Sequence, residues 1–236
     1  MPWKLSHELF ALAAIATIVV LALVIGPSLP DQVPTHFNGD GVADSYSSRP
    51  AFLYWSVGLT AGIYLLLTFV PLIDPFWKTI KPRYHLLTLL RDFVLGFSVA
   101  IFLLTVLAAR DGRLPTNLLG VCIGVLIALI GNYLPRVPRN WFFGIRTPWT
   151  LASDVVWVKS HRVGGWMFVI AGVVLAVASV LGVPAHIALI VTILPPVVVA
   201  GFIYPFILLR RLQHDEMETA PDLSTPPTDH PNGGTL

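Results

Sequence analysis

Residues 132–162 read NYLPRVPRNWFFGIRTPWTLASDVVWVKSHR and stand between two strongly apolar runs. Into about thirty residues they pack five basic side chains, three tryptophans and three prolines. A plain connector between two membrane helices needs only a few polar or turn residues. This one has the chemistry of a segment held where lipid meets water. Arg and Lys hold phosphate or carboxylate there, while a Trp ring buries an apolar face and keeps its N–H wet. Gly144 permits a tight turn, Thr147 is the expected N-cap, and Pro148 suits the first helical position. A second start is expected at Thr150, with Asp154 favourable in the first turn. On helical spacing Trp149, Val156, Trp157 and Ser160 share about half the wheel, with Asp154, Lys159 and Arg162 over the rest. That pattern predicts a short interfacial helix.

Working outward, composition places the whole chain in a membrane. Apolar residues make up 55% of it and charged residues 12%, and the mean hydropathy is +0.75, far above a soluble domain of this length. Windows near 8–26, 51–73, 89–109, 118–134, 164–183 and 187–209 approach or reach the roughly 20 apolar residues that cross a bilayer core of about 30 Å. The expected fold is an all-α integral membrane protein. It is a six-helix transmembrane bundle with a short cytoplasmic interfacial helix at the quoted segment. The first window follows Lys4 like a signal peptide, but its exit, GPSLPDQVP, lacks a small-x-small cleavage pattern, so an uncleaved helix is expected.

The basic residues orient the bundle. With the N-terminus inside, Lys4, Lys78, Lys81, Arg83, Arg91, Arg136, Arg139, Arg146, Lys159, Arg162, Arg210 and Arg211 face the cytoplasm, against Arg49, Arg110 and Arg113 outside. Both termini are then cytoplasmic, residues 132–162 lie on the inner face and the loop 27–50 on the outer. The end of the chain collects Asp215, Glu216, Glu218, Asp222 and Asp229 among Pro, Thr and Gly. It is expected to be a disordered acidic tail, 212–236.

The string formed by Asn132, Pro135, Asn140, Gly144, Ile145, Arg146, Thr147, Pro148, Trp149, Thr150 and Leu151, then Trp157, His161 and Arg162, resembles the signature of the SdpI family of bacterial membrane proteins. LPDQVPTHFNGDGVADSYSSR, Leu29 to Arg49, is similar to the small uncharacterised membrane domain that often precedes that region. The resemblance implies an N-terminal membrane domain over 1–113 and an SdpI-like domain over 114–211, with three spans each. It also implies toxin immunity, protection of the cell's own membrane from a secreted antimicrobial peptide, and signalling by holding a soluble repressor at the membrane. The partners expected are therefore the lipid bilayer, such a peptide outside and such a repressor inside, with no direct nucleic-acid contact.

The remaining motifs narrow the chemistry. In the outer loop, Pro34, His36, Asn38, Gly41 and Asp44 form the motif of note. His36, Asn38, Asp40 and Asp44 have some of the spacing of a calcium loop, but Val42 and Arg49 stand where ligands belong, so turn formation by Asn38-Gly39 and Asp40-Gly41 is the expectation. No metal and no cofactor are expected. Nucleophile elbow, HExxH and phosphate-loop patterns are missing from the sequence, so no enzyme is expected. Arg146 is the first candidate for binding, since its planar fork grips a carboxylate or phosphate where Lys would not; the structural alternative is carbonyl capping or pairing with Asp92. Trp149 and Trp157 read as interface anchors, and Asn132 and Asn140 as partners for backbone groups at helix breaks. Asp74 and Asp92, at span ends, read as partners of Arg91 or Arg83. Gly120, Gly124, Ala128 and Gly131 make a small-residue stripe that suits contact with a neighbouring helix of the same subunit. Pro195, Pro196 and Pro205 should kink the last span, which leaves a transporter or lipid-handling role as the alternative.

Overall fold

The computed structural model describes residues 5–219. Its long helices form because apolar runs in lipid must satisfy every backbone group internally. In chain order they are α1 (Leu9–Val24), α2 (Arg49–Phe69), α3 (Trp77–Ile80), α4 (Tyr84–Asp111), α5 (Thr116–Tyr133), α6 (Pro148–Ala152), α7 (Asp154–Val180), α8 (Ala185–Val198) and α9 (Tyr204–Thr219). Counting continuous segments, five are long and apolar enough to cross a membrane: 49–73, 77–111, 116–136, 154–180 and 185–215. The protein is a multi-pass membrane protein. The six-span count holds approximately, because α1 has 16 residues and reaches only about 24 Å at 1.5 Å per residue.

Between α1 and α2 the expected turn-rich loop is a β-hairpin, β1 (Gln32–Phe37) with β2 (Ala43–Ser48), paired antiparallel with a register shift after Pro34. Alternating Val33, Thr35, Phe37 and Tyr46, Ser48 side chains fit a strand as well as a loop, and Asn38 to Val42 supplies the turn. The hairpin packs onto the rest of the same end. Leu114 N donates to Gly41 O at 2.9 Å, and a ring nitrogen of His186 stands 3.2 Å from Gly39 O. The opposite end carries the segment 132–162, the turn 70–83 and the described start of the chain.

The bundle core is built in two ways. Ile18, Leu29, Val33, Phe52, Phe102 and Val106 form one buried cluster joining the first three spans, with Phe52 and Phe102 stacked at 5.5 Å. In the second half, α5 lies backbone to backbone on α7. Gly124 faces Gly172 O and Ala176, Gly131 faces Gly165 O and Val169, and Gly120 faces Ser179. The small stripe on α5 thus meets a matching one on α7, inside one chain. The last span changes its winding around its prolines without interruption: α8 ends after Pro195 and Pro196, a π turn covers Val199–Ile203, and α9 begins just before Pro205. Because α9 runs to Thr219, the expected disorder from residue 212 is replaced by helix up to that point. The remainder of the acidic tail lies outside the described residues.

Candidate functional site

The segment 132–162 folds around Asn140, which is fully buried. Its Nδ2 donates to Pro138 O at 2.8 Å and Phe143 O at 3.1 Å. Its Oδ1 accepts from Phe142 N at 2.9 Å and Phe143 N at 2.6 Å. One amide therefore replaces the helical partners that this stretch of backbone lacks. Asp74 bolts the same turn to the α2–α3 connection, accepting from Phe76 N and Trp141 N, each at 2.7 Å. Here the expected ion pair with Arg83 or Arg91 gives way, because two N–H groups at a helix break use both carboxylate oxygens.

Thr147 caps α6 as the sequence suggests, with Pro148 in the first turn. Thr147 N donates to Thr150 Oγ1 at 2.9 Å, and that hydroxyl donates to Ile145 O at 2.8 Å. The short helix then ends, and Ser153 rather than Thr150 caps the next one, accepting from Val156 N. Asp154 sits in the first turn of α7 and pairs with Arg139 at 3.0 Å. The break at Ser153 moves Trp157, His161 and Arg162 off the interfacial helix and into the start of a long spanning helix.

Trp157 is consequently a core residue. It is 1% exposed and packs against Ile80, Tyr84, Leu87, Leu90 and Val137, with Nε1 donating to Val137 O at 2.9 Å. The expected wet N–H is satisfied internally instead. His161 is fully buried and stacks on Trp157 at 3.9 Å. Its Nε2 accepts from Ile145 N at 3.1 Å and its Nδ1 stands 2.8 Å from Trp157 O, which sets the Nδ1–H tautomer. Gly144 makes this approach possible: its φ is +102°, and any β-carbon there would run into the His161 ring. Trp149 is half-buried, edge-on to Phe206 at 5.5 Å and Phe202 at 6.3 Å.

Arg146 is exposed and donates to Trp141 O, away from Asp92. Arg136 donates to Asn132 O at 2.6 Å and covers the Tyr133 ring. The Pro135 ring lies against Gly165, and Arg162 is exposed. Exposed basic side chains therefore surround a rigid, internally bonded loop.

At the hairpin end, Asn38 accepts from Asp40 N and Val42 N, both at 3.0 Å, and Gly41 takes φ +76° in the turn. His36 pairs with Asp44 across the strands, and Pro34 stands opposite Tyr46. These residues spend their polar atoms on the hairpin.

Sequence reasoning found one pair of a second constellation, Asp92 with Arg91, and missed the rest. Arg91 is fully buried inside α4 rather than at a span end. It pairs with Glu8 at 2.8 Å and Asp92 at 2.9 Å, donates to Thr68 Oγ1 at 2.9 Å and His7 O at 2.8 Å, and lies over the Tyr64 ring. Tyr64 donates to the same Glu8 carboxylate at 3.1 Å, and Tyr84 to Thr68 O at 2.7 Å. Ionisable groups within membrane helices are costly and call for partners. An Arg-Asp dipeptide opening an apolar window is the signal that pointed here; Glu8, 83 residues away, carried none.

Fold and surroundings define a multi-pass membrane protein with a rigid, basic loop at one end. Residues 136–208 match the SdpI/YfhL protein family, and residues 12–60 match Domain of unknown function (DUF1648). The second half of the chain thus carries an SdpI/YfhL-type region, with that domain matched in front of it. It is similar to "Immunity protein SdpI" of Bacillus subtilis (strain 168), at 23% identity over 176 residues, covering 74% of this chain and 82% of that protein. No solved structure matches.

Proposed function

We propose that this chain is an immunity-type protein that protects its own membrane against a secreted antimicrobial peptide, with the 132–162 end cytoplasmic. The observation that carries the reading is the similarity to the Bacillus subtilis immunity protein over most of both chains. The basic loop supports a second task. Arg146 and Lys159 stand exposed on a scaffold held by Asn140, Asp74 and His161, a surface suited to holding a soluble repressor when peptide is engaged.

Expression in a sensitive bacterium should raise the peptide dose that depolarises the membrane. Arg146→Lys should lose that protection while the protein still accumulates, because the charge stays and the bidentate fork goes. If the intact chain shifts no peptide's potency, the immunity reading falls. If Arg146→Lys abolishes accumulation, Arg146 serves the fold alone. A transport role is the second reading, favoured by the π turn beside the prolines of the α8–α9 span; solute flux in reconstituted vesicles, unchanged by peptide, would favour it.

A further inference from the structure

At the 132–162 end a cleft of about 300 Å³ opens between α5 and α7. Its floor lacks side chains because Gly131 and Gly165 bring the two backbones into contact. Arg136 and Arg162 both line it, with Asn132 and Trp166, and among the described residues no carboxylate does. The nearby acids are committed elsewhere: Glu8 and Asp92 to Arg91, Asp154 to Arg139, Asp74 to two backbone N–H groups. Two guanidinium groups thus share one concavity without a counter-charge lining it among the described residues.

Above the cleft the surface turns apolar. Trp166 is 67% exposed, and Ile170, Val173 and Val177 continue the same outward face of α7 at 60%, 52% and 52%. Their spacing of four, three and four residues makes one ridge along the helix. A cationic pocket at headgroup depth, an amphipathic Trp beside it and an apolar ridge beyond it describe the parts of one ligand.

We propose that this cleft binds an anionic phospholipid. Its phosphate sits between Arg136 and Arg162, and an acyl chain lies along Trp166, Ile170, Val173 and Val177. The site stands apart from the immunity reading and survives its failure. Native mass spectrometry of the full chain, from detergent holding equal phosphatidylglycerol and phosphatidylcholine of matched acyl chains, tests it. The wild type should retain phosphatidylglycerol in preference and keep it against excess inorganic phosphate. Arg136→Gln with Arg162→Gln should lower the preference roughly thirtyfold, the combined weight of two headgroup contacts, and Arg146→Gln should leave it unchanged. Should the double variant fail to accumulate, Arg162→Gln alone must lower the preference and Arg162→Lys must restore most of it. Equal retention of both lipids by the wild type overturns the proposal, as docking of a soluble partner on bare arginines would give. Displacement by inorganic phosphate overturns a lipid as the occupant. An equal loss with Arg146→Gln overturns the site in favour of a diffuse basic surface.

Discussion

Arg91 concentrates the largest electrostatic stake on a single side chain. Its guanidinium is shared by Glu8, Asp92, Thr68 and the His7 carbonyl, with no exposure. Removing one partner of a buried pair costs about 3–5 kcal/mol, because the charge left behind is uncompensated. Arg91→Met should therefore lower the melting temperature in detergent steeply, and adding Glu8→Gln should recover part of the loss. A thermal-melt double-mutant cycle measures that coupling; additive losses would show that Glu8 and Arg91 act separately. Gly144 is the second pivot. An L-residue forced into left-handed backbone costs about 1–2 kcal/mol, and here its β-carbon also meets His161. Gly144→Ala should destabilise the protein by at least that much and disturb the Trp157–His161 stack, visible as a change in tryptophan emission. Trp149 and Trp157 were equal candidates for interface anchors in the sequence. Nothing local separates a Trp that faces lipid headgroups from one that faces Ile80 and Leu87; the broken helix at Ser153 does.

Among elements, the α5–α7 pair is the most tightly constrained. Gly124 and Gly172 stand against each other's backbone, so a larger side chain at either must push the helices apart. Overpacking of this kind costs about 1–3 kcal/mol. Gly124→Leu should lower both accumulation and melting temperature, whereas Gly62→Leu on α2, which opens to empty space, should change neither. A neutral Gly124→Leu would mean that the two helices separate freely. The small-residue stripe on α5 was readable because small residues at that spacing serve close helix contact. Its partner on α7 was less so, since Gly165 and Gly172 are separated by bulky residues such as the outward-facing Trp166 and Ile170. The hairpin was read as a loop because its strands are short and polar, and its pairing rests on the turn at Asn38 and on support from Gly41 and Val42 against the α4–α5 link.

For the whole molecule, orientation is the open quantity with a direct test. The basic count of twelve against three predicts a cytoplasmic 132–162 end. Reporter fusions belong in the connections between spans, which excludes Arg162 because it lies within α7. Reporters after Asp40, Lys81, Gly112 and Arg139 should alternate outside, inside, outside, inside. An external signal at Arg139 would invert the bundle and move both the basic loop and the lipid cleft to the outer face.

What the amino-acid sequence determined by itself was whatever local chemistry controls. Hydropathy set a multi-pass membrane protein and approximately its span count. Thr147 and Pro148 set the start of the short helix, and the prolines marked where the last span departs from regular α-helix. What only the tertiary structure decided was which polar side chains are spent inside the protein. Glu8 reaching Arg91, Asp74 reaching Trp141, and His161 reaching Ile145 join residues from 16 to 83 positions apart. No local period carries such pairs. They follow from helices crossing in lipid, where each buried charge and each broken backbone hydrogen bond must find a partner wherever the fold brings one.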